Sequence, residues 1–164
     1  MPDLTPALWI YGVGLLVGAV VDYRTGRLPN WLTFSMTAVG IAIWSTQGDP
    51  LFALAGIGMA LAIHFPLFAL NVVRAGDAKL VMGASALVGW QESLELTAWY
   101  AIIYIPVGLL QLVAKRRLAN LGKVARSLVE QQGDEPPPEL TTLRTGPVIA
   151  LAGLVAASTN MFFG

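Results

Sequence analysis

Two aspartates, Asp22 and Asp77, are the residues of this 164-residue chain whose type and setting could do chemistry. Each follows a long hydrophobic run. Asp22 opens Asp22-Tyr23-Arg24-Thr25-Gly26-Arg27-Leu28-Pro29-Asn30, and Asp77 lies in Arg74-Ala75-Gly76-Asp77-Ala78-Lys79. If the two carboxylates meet, they can hydrolyse an amide bond without a metal or a nucleophilic side chain. One, ionised, takes a proton from water as it attacks the carbonyl. The other, protonated, hydrogen-bonds the carbonyl oxygen and helps deliver a proton to the leaving amine. Two carboxylates that share a water do not easily ionise together, so the pair would hold one proton, and its titration would belong to the pair.

Taken singly, each aspartate has a plainer role open to it. Asp22 could terminate the first apolar run. Asp77 could cap the helix that follows it, its oxygen accepting free backbone N–H groups and its charge favoured by the positive end of the helix dipole. The neighbours fit a site. Gly76 lets backbone or substrate approach Asp77 closely. Pro29 cannot continue a helix from Leu28 but suits the first turn of a new one, which Asn30 could cap or pin. Lys79, two residues after Asp77, does not share its helical face and is expected to meet headgroups or a neighbouring loop.

The elements that must position these residues are membrane helices. A chain 55% hydrophobic and only 12% charged, with mean hydropathy +0.65, is too apolar for an ordinary soluble domain. Apolar runs fall at about 5–21, 31–45, 51–73, 79–90, 94–113 and 147–163, separated by Gly, Pro and charged clusters. The runs Trp31–Trp44 and Leu80–Trp90 are shorter than the roughly 20 residues a bilayer core asks for, so each could be re-entrant. Orientation arbitrates. With six spans and the N-terminus outside, Arg24, Arg27, Arg74, Lys79, Lys115, Arg116, Arg117, Lys123, Arg126 and Arg144 all lie cytosolic, and these are all ten basic residues. The external segments keep only Asp3, Asp49, Glu92 and Glu95, the asymmetry expected when Lys and Arg are retained inside. The predicted fold is therefore an all-α integral membrane protein: one six-helix bundle spanning 1–164, both termini on the non-cytosolic side. The short spans are accommodated by bilayer thinning or a water-filled cytosolic recess.

The longest polar stretch, about 114–146, is cytosolic. Leu118, Leu121, Ala125 and Leu128 recur at helical spacing among basic residues, as in a helix lying on anionic headgroups, with a simple basic stop as the other reading. Gln131 to Glu139, with three consecutive prolines, reads as an extended linker. No Lys or Arg precedes the first run, which argues against a secretory signal peptide, so that run is expected to remain as a membrane helix. Cysteine is absent and His64 is the single histidine, so neither a disulfide framework nor a thiolate or histidine metal site is expected, and no cofactor. His64, next to Pro66 in the third run, is expected to bond across helices or fill a proline kink rather than relay protons. Trp44, Trp90 and Trp99 are expected as interface anchors near the outer ends. No nucleic-acid or nucleotide motif is present.

At its two aspartates the chain resembles the type IV prepilin peptidases, membrane aspartic endopeptidases. The family's first catalytic aspartate precedes an Ile-Pro-Asn-like element, matched by Asp22 followed by Leu28-Pro29-Asn30. Its second closes a Gly-x-Gly-Asp-x-Lys element, matched by Gly76-Asp77-Ala78-Lys79. A weaker echo is Arg144-Thr145-Gly146-Pro147, where the family often has Gly-Pro. One departure is Arg74, in place of the usual first glycine, where a cation could reshape substrate access or stabilise an ionised Asp77.

The resemblance implies a bacterial inner-membrane enzyme that cuts the leader from a prepilin or pilin-like precursor at the cytosolic face, with Asp22 and Asp77 catalytic. Bifunctional members also methylate the new N-terminus and carry a cysteine-paired cytosolic domain between their first spans. Here that connection is only Asp22 to Asn30, so the chain looks like the small peptidase-only branch associated with tight-adherence or Flp-type pili. Partners would be the precursor and the lipid bilayer, not nucleic acid; oligomeric state is open. Another Gly-x-Gly-Asp intramembrane protease is the nearest rival, against which stand the Pro-Asn element and the lack of Pro-Ala-Leu. A proton-binding carrier or assembly subunit is the rival from another class, although carriers place such carboxylates nearer the midplane.

Overall fold

Glycine, proline and aspartate set the helix ends. In the computed structural model, which describes residues 5–69, 73–114 and 145–159, the regular elements are helices: α1 (Thr5–Thr25), α2 (Asn30–Thr46), α3 (Pro50–Ala69), α4 (Ala75–Ala114) and α5 (Gly146–Thr159). α1 stops where Gly26 takes φ 68°, its N–H bonding the Asp22 carbonyl at 2.8 Å. Pro29, extended at φ −75° and ψ 138°, leads into α2. Asp49 starts α3, its Oδ1 accepting the Phe52 N–H at 3.3 Å, and Pro50 occupies the first helical position, where no N–H is needed.

α4 is broken at Gly89, whose φ 85° and ψ −173° only glycine adopts readily, and a Cβ there would run into the Phe52 ring. Two limbs result, 75–88 and 90–114, so the runs expected at 79–90 and 94–113 are divided by a single residue. Buried polar side chains bond at the break. Trp44 Nε1 donates to the Leu87 carbonyl at 2.9 Å, and the Ser85 and Ser93 hydroxyls bond across the break at 2.8 Å. Trp44 is thus no interface anchor: it is fully buried, its ring 4.1 Å from that of Phe52. Trp90 is partly exposed, and Trp99 Nε1 is buried without a partner among the described residues.

The short first limb of α4 is the axis of the bundle. Leu80, Val81, Ala84, Ser85, Ala86 and Leu87 are all fully enclosed, and α4 packs against α1, α2, α3 and α5. Gly56 lets α3 approach so closely that a Cβ there would collide with the Ser85 carbonyl, the small-residue packing by which apolar helices associate. A helix wrapped by protein need not match the thickness of a bilayer. The outer surface is the apolar one: Trp9, Val13, Leu16 and Val20 on α1 and Leu51, Leu54, Leu61 and Phe65 on α3 are exposed. Pro6–Thr25 and Pro50–Ala69 are long and apolar enough to cross a membrane, and Gly146–Ser158 is a shorter apolar helix. The architecture is all-helical and consistent with a membrane protein.

Glu95, assigned by the sequence to an outer connection, is instead buried in the second limb of α4. His64 is also buried; its Nδ1 meets the Ala60 carbonyl of its own helix at 3.0 Å rather than a neighbouring helix, and Nε2 has no partner among the described residues. Apart from Ala114, Thr145 and Gly146, the basic and proline-rich stretch expected at 114–146 lies outside the described residues.

Candidate active site

Helical register turns three polar residues inward. On α1, Ala7, Tyr11, Leu15, Gly18 and Asp22 recur every three or four residues and share the buried stripe. On α4, Asp77 begins the stripe continued by Leu80, Val81, Ala84 and Val88; Thr145 begins that of Ile149, Ala152 and Ala156 on α5. Asp22, Asp77 and Thr145 are each only 2% exposed. Asp22 belongs to the last turn of α1 rather than lying beyond it, and Asp77 is the third residue of α4.

The start of α5 joins the two carboxylates. Gly146 N–H donates to Asp22 Oδ2 at 2.9 Å, and the Thr145 hydroxyl donates to Asp77 Oδ1 at 2.5 Å. The first N–H groups of any helix lack intrahelical partners. Thr145 has the backbone role of the N-cap, its carbonyl accepting Ile149 N–H at 2.9 Å, but its side chain is spent on Asp77. Asp22, from a different helix, therefore supplies the acceptor that Gly146 needs, while Pro147 brings no N–H at all. Only glycine fits at 146, since a Cβ would stand 2.6 Å from that of Asp22.

The flanking elements are also brought together. Leu28 packs over Gly76, whose added Cβ would meet Leu28 Cβ at 3.2 Å. Lys79 Nζ donates to Asn30 Oδ1 at 3.1 Å and lies 5.7 Å from the centre of the Phe34 ring. Asn30 thus bonds Lys79 and is not a cap; no side-chain cap closes the Pro29 position. Lys79 reaches the first turn of α2 instead of a loop. Asp22, Gly26, Arg27, Leu28, Arg74, Gly76 and Asp77 line a cavity of about 260 Å³. His64 is not part of that lining. No cluster of three or more His, Asp or Glu among the described residues could hold a metal ion.

Residues 9–109, which include both aspartates and both flanking elements, match the type IV leader peptidase family. The chain belongs to that family. It is similar to the prepilin leader peptidase/N-methyltransferase of Escherichia coli (strain K12), with 27% identity over 163 residues that cover 94% of this chain and 63% of the relative. The chain thus spans a little under two thirds of the length of that relative. No solved structure matches it.

In this member of the leader peptidase family the two carboxylates have unlike surroundings. Burial pushes Asp77 up from the ordinary 3.8 to about 6; the Thr145 hydrogen bond pulls the other way, the Asp22 charge adds to the rise, and Arg74 opposes it. Asp77 Oδ2 is buried with no donor among the described residues. Asp77 thus changes protonation near pH 6 beside a second carboxylate, Asp22, in the wall of the same cavity. Sequence reasoning missed Thr145 as part of the site. The signal available was a threonine immediately before Gly146-Pro147 at a helix start, a position that reads first as a local cap.

Proposed function

We propose that the protein is a membrane aspartic endopeptidase that removes the leader from prepilin or pilin-like precursors. Asp22 and Asp77 are its catalytic pair, and Pro29, Asn30, Gly76 and Lys79 the flanking motif residues that support it, Gly76 in the cavity wall and Asn30 and Lys79 bonded to each other. The observation that carries this reading is the tethering of both buried carboxylates to consecutive residues, Thr145 and Gly146, beside one cavity in a chain of this family. Water held by the pair is deprotonated as it attacks the scissile carbonyl, and the other carboxyl stabilises the developing oxyanion.

Six spans place the cavity at the cytosolic side of the inner membrane with both termini opposite, as the placement of the basic residues favours. Membership of the peptidase-only, Flp-type branch is supported by the four-residue link between α1 and α2, which leaves no room for an inserted domain there. The test is co-expression with a pilin precursor. Asp22→Asn and Asp77→Asn should each abolish processing while the protein still inserts and folds; full cleavage by either variant refutes the pair.

A further inference from the structure

We propose that the two aspartates have fixed roles: Asp22 is the ionised carboxylate that activates water, Asp77 is the protonated one that serves the substrate carbonyl, and Thr145 and Gly146 are positioning residues that keep this division. The assignment rests on the peptidase reading above. Gly146 N–H donates to Asp22 Oδ2, a bond that is stronger to the ionised carboxylate than to the neutral acid, and the N-terminus of α5 favours negative charge at the same place. The Thr145 hydroxyl imposes no such demand, since it can donate to an ionised Asp77 or turn to accept from a protonated one. Asp77 Oδ2 is enclosed without a donor among the described residues, so a negative charge on it is only partly offset by its neighbours and a proton lowers that cost.

Other groups bear on Asp77 from every side. Asp22 of α1 repels its ionised form, whereas Arg74, just before α4, and the first-turn position of Asp77 in α4 favour it. Tyr100 and Tyr104, from the second limb of α4, lie close enough to feel its charge, and Arg27 shares the cavity wall. Burial outweighs these favourable neighbours, in keeping with its rise to about 6.

The cycle balances. Water oxygen bonds the carbonyl carbon while its proton passes to Asp22, and the carbonyl oxygen takes the proton of Asp77, giving a neutral diol. As the C–N bond breaks, Asp22 protonates the leaving nitrogen and a diol proton returns to Asp77 while the C=O re-forms. Asp22 ends ionised and Asp77 protonated, as both began.

The test is kcat/KM against pH for the purified full chain in proteoliposomes with a purified pilin precursor. Thr145→Val removes a hydrogen bond that favours ionised Asp77, so the proton is held to higher pH. Because Asp77 acts as the acid, the alkaline limb should move up by ~0.5–1 unit, a roughly three- to tenfold gain on that side once rates are normalised at the optimum. The acidic limb should stay, and Thr145→Ser should restore the wild-type profile. Arg74→Gly, at an exposed residue, removes a cation that also favours ionised Asp77 and should move the same limb the same way, which keeps the test open if the valine variant folds poorly. Displacement of the acidic limb instead would make Asp77 the base, and unchanged limbs would leave Thr145 a purely structural residue; either overturns the assignment while the peptidase reading stands. A wild-type protein that cleaves no precursor overturns both.

Discussion

Replacing Asp77 with Asn should alter the pH dependence of folding stability in a calculable way. The side chain is 2% exposed, and its carboxyl is raised from 3.8 to about 6, first by burial. A carboxyl that holds its proton more tightly in the folded state contributes stability that is fully present below 3.8 and lost as pH rises through about 6. At ~1.4 kcal/mol per unit, the loss across that window is about 3 kcal/mol. Asn does not titrate, so the variant should be flatter than wild type by about that amount between pH 4 and 7. The amide also introduces a buried N–H where Oδ2 has no partner, at a cost of about 1–3 kcal/mol. That cost is the same at every pH, so the slope and not the offset is the readout. Thermal unfolding of the purified protein in detergent micelles, wild type against variant across this range, makes the comparison. Equal slopes would refute the claim that Asp77 is a desolvated, proton-holding carboxyl.

Gly146→Ala should lower kcat/KM about 100-fold, since its Cβ would stand 2.6 Å from Asp22 Cβ and force the carboxylate from its place, whereas Gly58→Ala, with nothing within 4 Å, should cleave like wild type. Trp44→Phe keeps the ring but leaves the Leu87 carbonyl without its donor; a loss of about 1–3 kcal/mol should appear as a lower Tm. Asn30→Ala and Lys79→Ala should couple by up to about 1 kcal/mol in a double-mutant cycle on stability, the scale of an exposed polar pair.

Helix positions were legible because Gly, Pro and Asp punctuate the apolar runs by local rules. The run expected at 31–45 is α2 at Asn30–Thr46, and Gly48-Asp49-Pro50 marks one helix end and the next start as the residue types dictate. Burial was not legible, because a helix apolar on all sides carries no periodicity to separate a lipid-facing surface from a protein-facing one. Trp44 therefore read as an interface anchor and Glu95 as an outer charge, yet both are buried. A break between the runs at 79–90 and 94–113 was expected, but not its place at Gly89, because an isolated glycine in an apolar run bends the chain only if packing, here the Phe52 ring and the Trp44 donor, makes the bend worthwhile.

The sequence by itself determined that two carboxylates close apolar segments and which residues flank them, since residue type and local spacing are one-dimensional facts. Only the tertiary structure decided that the pair shares a cavity and that α5 joins it. The bonds that do so link Thr145 to Asp77 across 68 positions and Gly146 to Asp22 across 124. Partners so distant are chosen by the packing of α5 against α1 and α4 and by the need of buried N–H and O–H groups for an acceptor, which no local pattern encodes.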